Sequence, residues 1–509
     1  MKNNYNKYFK LFLNRNKSFY ETKEHPNRTL VLSVTNDLIF NTIALKFGKA
    51  ISEIENSNII FFPHLKYNKE INKLAKSFKV LISINVFFSF TWIFIKYFFN
   101  ILNHLVKIHD GSTLESFHIN NIPIGKHIYD FILRKYKIPS INKLKFSHKF
   151  IVIICILYYF SIRDLINKHS IKSIVTLDNV YIEGIVFELS RSLNLKMYSG
   201  FDINLLTLHV FENDFDYSKH CRTPDQLYLN KKFEDPFFIS EANNFINNRF
   251  SGDQNQHDAK RAFSSKNIKL DRQELIEMYN LSDGKIVLIL PHIFCDAPHS
   301  YPSVIYKDYK YWLSDTLRVL NNNKGINIII KEHPSAPLYD EEGYLEHLIK
   351  TLNLDNVKLI SNKINAKSLM ETVDFCVTCG GTSGMEYAYH GVPVILASSP
   401  PYGDFEFFNK AKTIDHYHEL LNNIENLKKL TNKERVTAGN LLFLFFKHYG
   451  IDRKTAKLNF FHFNLGEEND LSYFFENISR DDNIKQSHIV ISKALKGMLD
   501  NNYKNLYKN

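Results

Sequence analysis

Three short segments of this chain carry residues whose types and spacing can do chemistry. The first is Pro291-His292-Ile293-Phe294-Cys295-Asp296-Ala297-Pro298-His299, with two imidazoles and a carboxylate in nine residues. Such groups, held close together, suit general acid–base or nucleophilic work. The second is Lys331-Glu332-His333-Pro334-Ser335. A histidine after an apolar strand can donate to a phosphate oxygen, and Pro334 restricts the backbone that aims it. Lys331 adds positive charge and Ser335 a hydroxyl. The third is Thr378-Cys379-Gly380-Gly381-Thr382-Ser383-Gly384-Met385-Glu386. It reads as a glycine turn opening a helix, with Thr382 or Ser383 as cap. A helix start with unpaired N–H groups is a seat for phosphate. Glu386, one turn further on, is placed to accept hydrogen bonds from a ribose diol.

The elements that must position these segments follow from the apolar pattern. Strands are expected at Lys285–Leu290, Ile326–Ile330, Asn356–Ile360, Phe375–Thr378 and Val392–Leu396. Helices are expected between them at Tyr309–Asn321, Tyr339–Leu352 and Ala366–Thr372. Strand–helix alternation of this kind makes a doubly wound parallel sheet, and loops after successive strands open on one edge of it. Upstream, Leu30–Val34, Asn58–Phe62, Lys172–Leu177 and Leu195–Tyr198 repeat the rhythm, with a helix over Tyr181–Leu193. Asp178 and Glu183 follow the third of these strands, and Asp37 the first. Each is a candidate base for an acceptor hydroxyl, and each is also a candidate helix cap or surface acid. The fold class read from this is α/β, with two Rossmann-like domains facing a cleft and a helical C-terminal tail. The expected boundaries are a polar, basic extension over 1–28, an acceptor-side α/β domain with an apolar helical insert over 29–250 and a linker over 251–280. A donor-binding α/β domain over 281–450 and a helical tail over 451–509 complete the chain.

Length and composition agree with that division. A chain of 509 residues exceeds one ordinary core, and 44% hydrophobic with 23% charged residues is globular. The formal net charge of +11 favours an anionic partner. No nucleic-acid module is present, so nucleic acid is not expected as a partner. The cysteines Cys155, Cys221, Cys295, Cys376 and Cys379 are too scattered for a disulfide framework and fit a reducing compartment. Cys376 and Cys379 point to opposite faces of a strand and do not suit a shared metal. A metal site made from His292, Asp296 and His299 is conceivable, but no carboxylate-rich segment accompanies it, and metal-independent chemistry with no cofactor is expected. No secretory signal is evident. Val80–Ile95 is an apolar segment short for a spanning helix and reads as an amphipathic helix, partly core, able to touch lipid. Phe150–Phe160 reads as a buried element.

The Lys331-Glu332-His333-Pro334 and Gly381-Thr382-Ser383-Gly384-Met385-Glu386 segments together resemble the donor-binding half of GT-B glycosyltransferases. They are most similar to the bacterial capsule polysaccharide biosynthesis group, which includes Kdo transferases and whose relatives include bacterial sialyl- and polysialyltransferases and teichoic acid glycerophosphotransferases. The resemblance implies a cytidine-nucleotide donor with its phosphate held by His333, Ser383 and the helix start, and its ribose by Glu386. It supplies no catalytic residue. Position and chemistry nominate Asp178 as base for inverting transfer, or Asp296, with His299 beside it, for retaining double displacement. The expected protein is a glycosyltransferase, cytoplasmic and peripheral to the inner membrane, that moves a sugar from a nucleotide donor to a saccharide or lipid-linked acceptor. A polyol-phosphate (CDP-glycerol-type) transferase, a nucleotide-sugar epimerase and a non-catalytic assembly factor are the alternatives.

Overall fold

Six-residue apolar runs such as Lys-Ile-Val-Leu-Ile-Leu at 285–290 are buried along nearly their whole length. They form the inner strands of parallel sheets, covered by helices on both faces. The computed structural model describes residues 2–21, 24–65, 68–200, 205–213, 223–252, 257–299, 304–354, 356–460 and 468–507. Its chain divides into two units. One comprises Met1–Ile128, Lys143–Asp225 and Lys447–Asn509, and the other Tyr129–Asn142 and Gln226–Phe446.

The first unit holds β1 (Asn27–Leu32), β2 (Ser57–Phe62), β3 (Ile82–Ser83), β4 (Ile171–Thr176), β5 (Lys196–Ser199) and β6 (His209–Phe211). The sheet order is β3-β2-β1-β4-β5-β6, parallel except for the β5–β6 pair. The second unit holds β7 (Lys285–Leu290), β8 (Ile326–Lys331), β9 (Val357–Ile360), β10 (Phe375–Thr378), β11 (Val394–Leu396) and β12 (Phe408–Lys410). Their order is β9-β8-β7-β10-β11-β12, parallel throughout. Both are doubly wound sheets in the Rossmann order. In each, the winding reverses between the first and fourth strands, the point at which such sheets bind ligands. In the second unit that point lies between β7 and β10. The core there is built on the Tyr309–Asn321 helix, whose Trp312 is fully buried and donates Nε1–H to the Tyr417 hydroxyl at 2.8 Å.

The expected domain boundaries need four corrections. Residues 1–28 are not a bare extension: Lys2–Phe19 is a helix that buries Phe9 and Phe12 against Phe475, whose ring lies 4.9 Å from that of Phe9. The tail is helical as expected (Glu468–Ile478 and Asp481–Asp500), but Phe474, Phe475, Ile491 and Leu495 belong to the core of the first unit. The first unit's central stretch ends at Asp225, not at 250, because the Pro236–Phe250 helix packs with Phe443 and Phe446 in the second. Tyr129–Asn142 also belongs to the second unit, although it interrupts the first in sequence. Two polar side chains account for this. The Tyr129 hydroxyl donates to Asp308 Oδ2 at 2.8 Å, and Lys307 Nζ donates to the Ile141 carbonyl at 3.3 Å.

The 251–280 stretch carries helices at His257–Ala262 and Arg272–Tyr279, the latter opened by a capping box between Asp271 and Glu274. Residues 253–256 lie outside the described residues, as does Cys221. The apolar insert differs from expectation as well. Its helix runs over Val86–Val106 and carries Lys96 inside it. Phe146–Lys168 is a long helix, buried over most of Ile151–Ile162 as anticipated for Phe150–Phe160.

Candidate functional site

The loops after β7, β8 and β10 leave the same edge of the second sheet, and the first and last are tied together. The Gly380 N–H donates to His292 Nε2 at 3.2 Å, across the winding reversal. The His292 ring stacks on Tyr309 with centroids 4.8 Å apart and planes 7° apart. An imidazole nitrogen that accepts an N–H bond carries no proton, so His292 is neutral here with its proton on Nδ1. Burial pushes its pKa down to about 3. His292 therefore acts as a fixed post for the glycine turn rather than as an acid.

The turn itself is closely fitted. A methyl group placed on Gly381 would lie 3.2 Å from Ser383 Oγ, 3.6 Å from Thr378 Oγ1 and 3.7 Å from His292 Nε2. One on Gly384 would lie 2.5 Å from the Tyr402 hydroxyl oxygen, and that hydroxyl donates to the Gly381 carbonyl. Gly384 N–H and Met385 N–H close the turn on the carbonyls of Gly381 and Thr382. The amides of Gly381, Thr382 and Ser383 make none of these bonds. The following helix, Ser383–Tyr389, is only seven residues long, and Thr382 opens it without a side-chain cap bond. The expected cap bond is thus missing, because Thr382 already has helical φ and ψ angles, whereas a capping residue is extended.

After β8, the Ser335 N–H donates to His333 Nδ1 at 3.1 Å. That bond fixes the neutral tautomer of His333 with its proton on Nε2, a donor suited to a phosphate oxygen. Pro334 presents its carbonyl to Arg261 Nη1 at 3.1 Å. A small hollow is lined by Pro291, His292, Phe294, Glu332, His333 and Glu341, among others.

Two donor-side expectations are corrected by the geometry. Lys331 is buried, and its ammonium is turned onto the Ile364 carbonyl, with burial pulling its pKa down to about 8. It braces the sheet edge and is not directed at the loop mouth. Glu386 is also buried, and its Oε1 receives both Nε (2.7 Å) and Nη2 (2.5 Å) of Arg249. That ion pair pins the Pro236–Phe250 helix to the turn and takes up the carboxylate expected to meet a ribose.

In the loop after β7, the three residues considered as a metal set do not converge. His292 faces Gly380. Asp296 is half-exposed with Arg134 Nη1 at 3.9 Å. His299 is buried, with Nδ1 2.6 Å from Asp130 Oδ1 and its own N–H donating to Asp130 Oδ2 at 3.1 Å. Tyr129 meets the His299 ring edge-on at 5.3 Å. Glu341 holds the middle of the loop, accepting from Phe294 N–H and Cys295 N–H at 3.1 Å each. Burial raises its pKa to about 6. Between these anchors Ala297 has a φ of +45°, a left-handed conformation uncommon for alanine. Cys376 and Cys379 are fully buried, and burial pushes both thiols up.

Asp130, Tyr129, Arg134, Glu341 and Arg249 escaped the sequence reading. Asp130 lies 169 positions from His299, in the helix Gly125–Tyr136, and no local pattern links them. Glu341, by contrast, lies eight residues past His333 in a turn-rich stretch that the apolar pattern had taken for helix.

In the first unit, Asp37 is a helix cap, accepting from Ile39 N–H and Phe40 N–H at 2.8 and 2.9 Å. Asp178 accepts from Asn179 N–H at 2.8 Å in the loop after β4. Glu183 is buried one helical turn on, and burial, then the charge of Asp178, raises its pKa well above the ordinary glutamate value. Tyr181 between them has a φ of +54°, the sharpest departure from ordinary backbone in that loop.

Comparison with known proteins places these features. Residues 284–404 match the family model described as capsule polysaccharide biosynthesis protein. A search of curated proteins gives no match. Among solved structures, the β-Kdo 2,4 transferase KpsC of Thermosulfurimonas dismutans is 18% identical, covering 53% of this chain and 79% of its own at a TM-score of 0.32. HepE of Anabaena, solved with UDP-glucose, is 11% identical over 93% of this chain and 99% of its own, TM-score 0.27. The UDP-GlcNAc 2-epimerase of Methanocaldococcus jannaschii is 11% identical over 82% of this chain and 99% of its own, TM-score 0.26. The matched segment runs from the start of β7 through the glycine turn to Asp404 and so contains all three loops. Residues 284–404 are thus similar to the capsule polysaccharide biosynthesis family, within a chain whose two α/β units each carry a doubly wound sheet.

Proposed function

We propose that this protein is a glycosyltransferase of capsule polysaccharide synthesis that takes its sugar from a cytidine-nucleotide donor. The observation that carries the reading is the Gly380–His292 bond, which joins the two loops at the winding reversal of the second sheet. His333 and the amides of Gly381, Thr382 and Ser383 hold the donor phosphate, and Ser383 adds a hydroxyl. The transfer is taken to need no metal or other cofactor. Lys331 and Glu386 support this site from behind.

His299, oriented by Asp130, is the acid–base group on the donor side, giving a proton to the leaving phosphate oxygen as the anomeric bond breaks. Asp296, on the same loop, is the carboxylate that attacks or steadies the anomeric carbon as the bond to the nucleotide breaks. Asp178 belongs to the acceptor side and takes the proton of the attacking hydroxyl if the transfer inverts. The acceptor is a saccharide or lipid-linked chain, and the reaction takes place in the cytoplasm.

A thermal-shift panel with CMP, CDP, UDP and GDP tests the donor. CMP or CDP should raise the unfolding temperature, by about 2.7 kcal/mol of stabilisation at a hundredfold excess over Kd. His333→Ala should weaken that binding by about 10- to 100-fold, the loss of one charge-assisted hydrogen bond. A chain that no nucleotide stabilises would not be this transferase.

A further inference from the structure

The Val86–Val106 helix leaves uncovered an apolar stripe that the proposed reaction does not use. Its inner face packs on the protein: Ile93 and Ile101 are 2% and 1% exposed, and the Tyr97 ring stacks on Phe160 at 4.2 Å. On the outer face Phe88, Trp92, Ile95, Phe99, Leu102 and Val106 follow one another at spacings of four and three, a single helical stripe. All six are exposed, Trp92 at 64% and Phe99 at 82%. Soluble surfaces rarely carry such a contiguous row of large apolar side chains without a partner.

Charge identifies the occupant. From Ile71 to His109 the sequence contains no carboxylate but includes Lys73, Lys76, Lys79, Lys96 and Lys107. An apolar stripe flanked by lysines alone suits an anionic lipid surface. It does not suit a second copy of the same helix, which would set like charges against each other. The helix is long and apolar enough to cross a bilayer by composition, yet two features keep it in the interface. Lys96, in its middle, pairs with Asp164 of the neighbouring helix at 2.7 Å. Tyr97 breaks the helical φ and ψ angles where the inner face is fastened, with its hydroxyl donating to Asp164 and accepting from Arg163. We infer that the outer face of Val86–Val106 lies in the headgroup–acyl boundary of an anionic membrane, docking the first unit without spanning. This inference is independent of the donor reading, since nucleotide shifts are measured without lipid.

The two tryptophans make the test direct: Trp312 is fully buried and Trp92 is exposed. The full chain is mixed with phosphatidylcholine vesicles, with and without phosphatidylglycerol, and followed by emission and by co-sedimentation. Phosphatidylglycerol vesicles should shift the emission to the blue and pellet the protein, and the shift should vanish in Trp92→Phe. The Trp92→Ser/Phe99→Ser pair should stay in the supernatant with its melting temperature and CMP shift intact. No blue shift and no pelleting would overturn the proposal. So would self-association through this face that vesicles leave unchanged, or retention in membranes after an alkaline carbonate wash, which would indicate spanning.

Discussion

Nδ1 of His299 lies 2.6 Å from Oδ1 of Asp130, and the same carboxylate accepts the His299 backbone N–H through its other oxygen. Both side chains are buried. One carboxylate thus sets both the position of the backbone and the direction of the ring.

Asp130→Asn keeps the shape and one acceptor oxygen but allows the ring to flip or change tautomer. Turnover should fall by about 10²–10⁴-fold, the usual worth of a positioned acid–base group. The nucleotide-induced thermal shift should stay, because no donor contact is removed. Measured transfer and CMP binding, taken together, separate a loss of chemistry from a loss of fold.

Gly384→Ala sets a methyl group 2.5 Å from the Tyr402 hydroxyl oxygen, which supports the Gly381 carbonyl. The turn must shift, and overpacking of this kind costs about 1–3 kcal/mol. Tyr402→Phe alone removes one hydrogen bond and should cost about 1 kcal/mol. Because the second change clears the space the first needs, the double variant should be more stable than the two single losses added together. Denaturant unfolding of the four proteins measures that coupling.

Glu341 makes stability depend on pH. Its folded pKa is about 6 against an ordinary value of 4.5, so the folded form holds its proton more tightly. The contribution is present in full below pH 4.5 and is lost as pH rises through 6. The difference amounts to about 2 kcal/mol. Relative to Glu341→Gln, which does not titrate, the native chain should lose that much stability between pH 4 and pH 7, as followed by urea midpoints. A stability gap that does not change with pH would contradict the buried acid.

The second unit was legible to within a residue or two at β7, β10 and the Tyr309–Asn321 helix, because inner parallel strands are unbroken apolar runs. The three loops were found because they follow those strands. What the loops hold was less legible. Glu386 and Lys331 have the residue types of ligand contacts, but their partners, Arg249 and the Ile364 carbonyl, are 137 and 33 positions away. Asp130 was invisible for the same reason: a side chain recruited from the far end of a helix leaves no spacing to read. The start of the Val86–Val106 helix was misplaced because apolar residues surround it on every side, and periodicity marks a boundary only where apolar gives way to polar.

The core of the first unit takes helices from both ends of the described chain, Lys2–Phe19 and Asp481–Asp500, around the Leu38–Ile54 helix. During synthesis the order of completion is therefore reversed. The sheet that is translated first waits with an open face until residues beyond 447 have left the ribosome, whereas the three-loop unit has all its segments by Phe446. The donor-side unit can be finished while its predecessor is still exposed, and a chain cut after Phe446 would lose helices from the unit translated before it.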